Sequence, residues 1–242
     1  MHVHLQDYKT NCATDIVSAA RVQGICRMVC AASQEAGWPR VGELASRHPQ
    51  AVIPAFGIHP WYVAAAKPGW EKRLYKQFEQ FPQALIGESG LDGLKENMPL
   101  QRQLFERQIE AASVLKRPLV VHAVKAVAQL QDFWSRMPDF FMIHSFNGRV
   151  EHLQPILRRN GYVSLSASIL HNRQGAEIAR AVPASRLLLE TDSPYQGPVK
   201  GEEQTPCFLP QILKQVAAWR QQDPQQLAEV IYANAEEFIN GK

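Results

Sequence analysis

Short apolar runs recur along the chain, and longer stretches with the spacing of amphipathic helices separate most of them. Over residues 99–115, for example, Leu104, Ile109 and Ala112 recur among Gln, Arg and Glu. The apolar runs lack polar alternation, which is typical of strands that are buried on both faces of a parallel sheet. The runs predict eight strands, at residues 2–5, 25–31, 51–56, 84–87, 118–121, 140–143, 162–165 and 186–189.

A strand followed by a helix, repeated eight times, is the organisation that closes a (β/α)₈ barrel. The sequence therefore predicts an α/β fold of the TIM type, regular or distorted, which forms a single domain over residues 1–242. A doubly wound open sheet is the alternative. The Gln-rich stretch 215–226 surrounds a Pro and predicts a junction between two helices near the end of the chain.

Composition places the chain among ordinary globular proteins, with 45% hydrophobic and 20% charged residues. The formal net charge of +3 argues against broad coating of nucleic acid but leaves a local basic groove open. No run approaches the roughly 18 to 20 apolar residues of a membrane span, and the first residues lack the features of a signal peptide. The four cysteines fall at no CxxC spacing and predict reduced thiols. We expect a cytoplasmic protein that does not bind membranes.

Ionisable residues cluster at the downstream ends of the apolar runs. In a barrel the C-terminal ends of all strands meet at one face, which is where such enzymes keep their active sites. Residues that are far apart in the sequence are therefore expected to converge there. These residues are His2 and His4 on the first predicted strand, and His59, Glu88, His122, His144, Glu190 and Asp192 after later ones.

Most of these residues have a plain structural explanation when they are taken alone. His2 and His4 are two apart, so both point to the same side of a strand, but such a pair near a terminus also arises by chance. His122 and His144 each follow an apolar run, and each alone fits a buried neutral histidine with one hydrogen bond. Asp192 precedes a Ser-Pro pair and can cap a turn.

Taken together, four imidazoles and two carboxylates favour a binuclear metal site. Glu88 and Asp192 end buried strands, where a carboxylate is rarely found unless it is paired or bound to a metal. Two divalent ions roughly 3.5 to 4 Å apart activate a water for phosphoester or amide hydrolysis. Asp192 is the candidate general base. His59 either contacts a phosphate or leaving group or is a loop residue restrained by Pro60.

Six motifs in order resemble the TatD family of metal-dependent hydrolases, within the amidohydrolase-like barrels. The resemblance covers nearly the whole chain. It implies the barrel fold and a metal-dependent deoxyribonuclease, often a 3′–5′ exonuclease on single strands. The motifs are residues 2–4 (His-Val-His), 57–60 (Gly-Ile-His-Pro), 87–92 (Gly-Glu-Ser-Gly-Leu-Asp), 121–122 (Val-His), 144–148 (His-Ser-Phe-Asn-Gly) and 188–194 (Leu-Leu-Glu-Thr-Asp-Ser-Pro).

The resemblance also implies a role for each candidate residue. Asp192 would serve as both ligand and base, and Glu190 would orient the site. Asn147 and Tyr195 would line the substrate mouth. One ion would be held by His2, His4, Glu88 and Asp192, and the second by Glu88, His122 and His144, with Glu88 bridging the two.

The sequence departs from the family pattern at three places. Met1 immediately precedes His2, whereas the family usually carries an Asp two residues before its first His, so the first strand is predicted to be short. Val124 and Lys125 stand where the family usually shows an Arg and an acid, and Lys cannot copy the planar contact of Arg with phosphate. Ser89 replaces the usual aliphatic residue. We expect the loss of the Arg to change substrate choice or rate.

Two other functions fit the same residues. An amidohydrolase acting on a cyclic amide or lactone shares the His-x-His start, although here Glu88 takes the place of a carbamylated Lys. A non-catalytic metal-binding relative would fit the lost Arg, but would not require all six ligands and a base.

The ligand types and the resemblance also limit cofactors and partners. The expected cofactors are two divalent ions, and four imidazoles favour Zn²⁺ over Mn²⁺ or Mg²⁺. DNA or another phosphodiester is the expected substrate. A barrel of this size can act as a monomer, and the sequence indicates no obligate protein partner.

Overall fold

A computed structural model describes residues 2–9, 12–197 and 201–241, and it confirms the predicted α/β barrel. Eight parallel strands form one sheet in chain order. A parallel bridge between Val3 and Ser193 joins the two ends of the sheet, and the N–H of His4 donates to the carbonyl of Ser193 at 2.7 Å. The strands are β1 His2–Val3, β2 Met28–Ala31, β3 Val52–Phe56, β4 Leu85–Asp92, β5 Leu119–Val124, β6 Phe141–Ile143, β7 Tyr162–Leu165 and β8 Leu187–Leu189.

Helices surround the barrel, and the predicted junction within residues 215–226 is confirmed. The side chain of Asp223 accepts hydrogen bonds from the N–H groups of Gln225 and Gln226 at 2.9 Å, and so caps the last helix. Within the described residues, no helix is both long and apolar enough to cross a membrane. The helices are α1 Ala13–Val22, α2 Trp38–Arg47, α3 Trp70–Gln80, α4 Met98–Leu115, α5 Leu153–Arg158, α6 Gly175–Ala181, α7 Leu209–Arg220 and α8 Pro224–Asn240.

One end of the barrel interior is closed by apolar side chains. Leu85 and Tyr162, the first residues of β4 and β7, belong to a buried apolar cluster that includes Phe238 of α8. The rings of Tyr162 and Phe238 meet edge to face, with centroids 5.4 Å apart. Helix α8 therefore covers the N-terminal end of the barrel, and the C-terminal end is left for polar residues.

Strand β4 extends farther than its apolar run predicts. The prediction ends it at Gly87, but the observed strand spans Leu85–Asp92. Its pairing with β5 shifts register between Ile86 and Ser89, which marks a β-bulge around Glu88. Gly87 has φ 142°, and a Cβ atom there would lie 2.7 Å from a side-chain carbon of β5, so only glycine allows the two strands to approach so closely. Glu88 therefore lies within β4 rather than at its end.

Candidate metal centre

The structure brings all six predicted metal ligands together at the C-terminal end of the barrel. All six are buried, with exposed fractions of 7% or less. Five of them line a cavity of about 270 Å³. His2 is fully buried beside that cavity, with its ring stacked on the ring of His144 at a centroid distance of 4.3 Å. The six residues are His2, His4, Glu88, His122, His144 and Asp192.

Glu88 lies between two groups of histidines, one facing each of its carboxylate oxygens. Its Oε2 is 3.4 Å from Nε2 of His2 and 3.2 Å from Nε2 of His4. Its Oε1 is 2.8 Å from both Nδ1 of His122 and Nε2 of His144. A carboxylate that bridges two ions presents one oxygen to each, and Glu88 has this arrangement.

Asp192 presents one oxygen to the first histidine group. Its Oδ1 lies 3.4 Å and 3.3 Å from the Nε2 atoms of His2 and His4. Its Oδ2 accepts a hydrogen bond from Nε2 of Gln196 at 2.5 Å. The Oε1 of Gln196 in turn accepts from the hydroxyl groups of Ser145 at 2.8 Å and Ser166 at 2.6 Å. This network fixes which oxygen of Asp192 faces the histidines.

The outward nitrogens of three histidines are held by oxygen acceptors. Nδ1 of His4 donates to the last carbonyl of β2 at 2.8 Å, and Nδ1 of His144 donates to Oε1 of Glu190 at 3.2 Å. Nε2 of His122 donates to Oδ2 of Asp92 at 3.2 Å. Because these oxygens only accept, the outward nitrogens carry the protons, and the inward nitrogens of the neutral rings present lone pairs. Metal-binding histidines are held in this way.

The inward lone pairs face carboxylate oxygens, so the cluster requires protons or cations between them. Burial lowers the pKa of His4, but the adjacent carboxylates of Asp192 and Glu88 outweigh it and raise that pKa to about 10. Burial favours the neutral form of Glu88, but His144 and His59 outweigh it and hold the pKa of Glu88 well below its usual range. Among the described residues, Oδ1 of Asp192 is a buried oxygen that accepts no hydrogen bond. These nitrogen and oxygen donors fit divalent metal ions.

His59 differs from the other histidines in the orientation of its ring protons. Its Nδ1 accepts a hydrogen bond from the backbone N–H of Trp61 at 3.1 Å, so the proton of the neutral ring lies on Nε2. That Nε2 is 3.2 Å from Oε1 of Glu88 and 3.0 Å from Nδ1 of His122. Burial lowers the pKa of His59 to about 4. The ring is therefore a neutral donor at Nε2 at neutral pH, although its distances alone would group it with the metal ligands.

The predicted mouth residues occupy different positions. Tyr195 is half exposed and lines the cavity, and its ring meets the ring of His4 at a centroid distance of 5.5 Å. Asn147 accepts a hydrogen bond from Nδ2 of Asn172 at 2.6 Å, and the described cavity lining does not include it. Val124, which stands in place of the expected Arg, is 39% exposed and lines the cavity.

Asp92 connects two elements of the site, although neither its residue type nor its position in the sequence by itself indicates a role. It is buried, and its Oδ2 accepts hydrogen bonds from both Nε2 of His122 and Nε1 of Trp61, the latter at 2.6 Å. These two hydrogen bonds outweigh burial and lower the pKa of Asp92 to about 2. The only sequence signal was its place in the Gly-Glu-Ser-Gly-Leu-Asp motif.

Two buried glutamines of α4 hold the backbone on either side of the site. Oε1 of Gln108 accepts from the N–H of Ile58 at 2.8 Å, and its Nε2 donates to the carbonyl of Ile58 at 3.1 Å. Gln101 makes the same pair of contacts with the backbone of Asp92, at 2.8 Å and 3.3 Å. The two glutamines are seven residues apart and so lie on one face of the helix. In the sequence, this spacing on an otherwise apolar helix face is the feature that indicates two buried glutamines with polar partners.

One protein family model and several known proteins are similar to this chain over nearly its whole length. A family model described as TatD related DNase matches residues 1–240. The 3′-5′ ssDNA/RNA exonuclease TatD of Edwardsiella piscicida is 30% identical over 239 residues, which cover 93% of this chain and 92% of the relative. An uncharacterized metal-dependent hydrolase of Methanocaldococcus jannaschii is 27% identical over 241 residues, covering 98% and 95%. The crystal structure of a TatD homologue from Escherichia coli has the same fold, with a TM-score of 0.91 at 19% identity and coverage of 99% and 97%.

Proposed function

The chain belongs to the family of TatD-related DNases, and we propose that it is a divalent-metal-dependent phosphodiesterase that removes nucleotides from the 3′ end of single-stranded DNA or RNA. The observation that carries this proposal is the position of Glu88, whose two oxygens face separate histidine groups. The 3′-5′ ssDNA/RNA exonuclease TatD of Edwardsiella piscicida is similar to this chain over 93% of its length, which supports the proposal. The alternative of a non-catalytic relative leaves unexplained why a full set of ligands and a base lie together.

The proposed centre binds two divalent ions that share Glu88. Divalent ions bound there would lower the pKa of a water and offset the charge that develops on a phosphodiester during hydrolysis. The imidazole donors favour Zn²⁺, with Mn²⁺ and Mg²⁺ as the alternatives. In this proposal the first site consists of His2, His4, Glu88 and Asp192, and the second of Glu88, His122 and His144.

Three further assignments follow from the hydrogen bonds of the site. Asp192 acts both as a ligand and as the general base, and Gln196 fixes its orientation by donating to Oδ2, so that Oδ1 faces the proposed centre. Glu190 orients His144 by accepting from its Nδ1. His59 donates its Nε2 proton in a hydrogen bond to a phosphate oxygen or to the leaving oxygen, because its Nδ1 is occupied by the N–H of Trp61.

The size of the cavity supports action at the end of a strand. Its volume of about 270 Å³ lies just below the usual range for ligand pockets, roughly 300–1,000 Å³. Such a cavity receives a terminal nucleotide more readily than the middle of a folded strand.

Metal removal and restoration test this function directly. The protein is stripped with a chelator, and hydrolysis of end-labelled single-stranded DNA is measured before and after Zn²⁺, Mn²⁺ or Mg²⁺ is added. We expect stepwise shortening with at least one ion and two bound ions per chain by elemental analysis. No cleavage by a protein that has rebound metal would reject a phosphodiesterase and direct the search to cyclic amides and lactones.

The base assignment has a matched pair of variants. Asp192→Asn removes the proposed base and is expected to lower kcat by roughly 10²- to 10⁴-fold, the usual contribution of general-base catalysis. Asp139→Asn makes the same chemical change at an exposed residue just before β6, at the opposite end of the barrel. The Asp139 variant should match the parent protein. Unchanged turnover in the Asp192 variant would refute the assignment.

A further inference from the structure

Trp61 is an exposed aromatic side chain beside the candidate centre. It lies in a 3₁₀ helix, Pro60–Ala65, that follows His59 directly, and it lines the central cavity. The residue is 55% exposed. An indole with this much exposure contributes little to the apolar core, so its position calls for another explanation.

The ring of Trp61 is held in place although it is exposed. Its Nε1 donates to Oδ2 of the buried Asp92 at 2.6 Å, and its ring meets the ring of His59 edge to face at 5.3 Å. The ammonium group of Lys95 lies 4.3 Å from the ring centroid. A flat apolar surface that is already fixed loses little conformational entropy when a ligand stacks on it.

The rest of the cavity lining offers aromatic surface but no cationic side chain. No Lys or Arg is among the lining residues in the described part of the chain, and Val124 occupies one wall. Tyr62 and Tyr195 line the same cavity. A nucleotide that enters the cavity therefore meets aromatic rings for its base and the candidate metal centre for its phosphate, with Lys95 beside Trp61 but outside the described lining.

We propose that Trp61 is the stacking platform for the terminal nucleobase, so that this enzyme takes base-bearing nucleotides in preference to simple phosphodiesters. The inference rests on the proposed function and specifies how that site recognises its substrate. Stacking of a base on an aromatic side chain contributes about 1–3 kcal/mol, which corresponds to roughly a 5- to 150-fold preference. Every base has a π face, so the platform recognises nucleotides without regard to sequence.

Two substrates with the same leaving group test the platform. Thymidine 5′-(p-nitrophenyl phosphate) and methyl p-nitrophenyl phosphate differ only in the nucleoside, and the metal-loaded full chain is assayed with each. We expect Trp61→Ala to lower the ratio of kcat/KM for the thymidine ester to that for the methyl ester by roughly 5- to 150-fold. Trp61→Phe keeps a ring but removes the donor to Asp92, and it should retain most of the ratio.

A binding measurement separates stacking from effects on turnover. Fluorescence anisotropy compares an oligothymidylate with an abasic oligomer of the same length and charge, and Trp61→Ala should lose most of the preference for the former. Tyr232→Ala is the matched control, because Tyr232 is 52% exposed on α8, which covers the other end of the barrel. That variant should keep the preference of the parent protein.

The outcomes distinguish the platform from the proposed function. If the parent protein hydrolyses both esters and the ratio is unchanged in Trp61→Ala, the platform is wrong and the phosphodiesterase stands. If Trp61→Phe lowers the ratio of the two kcat/KM values as much as Trp61→Ala does, the preference depends on the hydrogen bond to Asp92 rather than on stacking. The platform is then also wrong. If the metal-loaded parent protein hydrolyses neither ester, both proposals fail.

Discussion

Gln108 forms a clamp on Ile58, that is, one hydrogen bond to its N–H and one to its carbonyl, and the loss of stability on removing both can be calculated. Gln108→Met keeps the length and the helix propensity of the side chain but removes both the acceptor for the Ile58 N–H and the donor to the Ile58 carbonyl. Gln108 is 1% exposed and Ile58 is 2% exposed, so water does not readily replace the lost partners. Two backbone groups are therefore left unsatisfied.

Each buried group without a partner costs about 1–3 kcal/mol, so the variant should lose roughly 2–6 kcal/mol of unfolding free energy. In a chain of this length 1 kcal/mol corresponds to about 2–4 °C in Tm, which gives a fall of roughly 5–20 °C. Because His59 follows Ile58 directly, Gln108→Met should also displace the imidazole of His59 and lower kcat. The activity loss should persist well below the new Tm.

Urea denaturation followed by circular dichroism measures this loss. Gln103→Met is the matched control, because Gln103 lies on the exposed side of the same helix. Its stability should stay within about 0.5 kcal/mol of the parent protein, as is usual for surface substitutions. If the Gln108 and Gln103 variants unfold at the same urea concentration with the same m value, the clamp contributes nothing and the reasoning fails.

Three further predictions concern the cavity, the base and the thiols. Val124→Arg supplies a planar cation at the cavity wall and should raise kcat/KM for a phosphodiester, and an unchanged value would reject this. Gln196→Leu removes the donor to Asp192 and should lower metal affinity by about 10- to 100-fold in a titration, while the same affinity as the parent protein would show that the contact is dispensable. Burial raises the pKa of the Cys30 thiol to about 12, so at pH 8 a thiol reagent should label exposed Cys12 but reach Cys30 only after unfolding, as mass spectrometry would show; labelling of Cys30 in the native protein would contradict this.

The barrel could be predicted from the sequence because burial on both faces of a parallel strand leaves a strong and local pattern. All eight apolar runs became strands, and Tyr162–Leu165 has the predicted bounds. The end of β4 could not be predicted in this way. Polar and glycine residues continue that strand to Asp92 because its pairing with β5 resumes after the bulge, and pairing between distant strands leaves no local pattern.

The convergence of the candidate ligands was also predictable, because a parallel barrel gathers the C-terminal ends of its strands at one face. The residues that hold those ligands were not. The spacing of Gln101 and Gln108 places both on the apolar face of an amphipathic helix, but the fold is needed to show that they contact the backbone of β4 and of the loop after β3. A helix pattern indicates which face is buried, but it does not name the acceptor that a buried amide will find.

The ring protons of His59 are a case in which local sequence did encode the chemistry. His59 is the N-cap of the 3₁₀ helix, and a residue at this position accepts from a backbone N–H of the first turn. Pro60 has no N–H to offer, so the N–H of Trp61 is the first that can reach Nδ1. The order of His59, Pro60 and Trp61 thereby keeps the proton of His59 on Nε2. His122 also carries its proton on Nε2, but there that nitrogen donates to the carboxylate of Asp92, which leaves Nδ1 facing the site. Two histidines whose inward nitrogens are 3.0 Å apart are in this way divided into a donor and a candidate metal ligand.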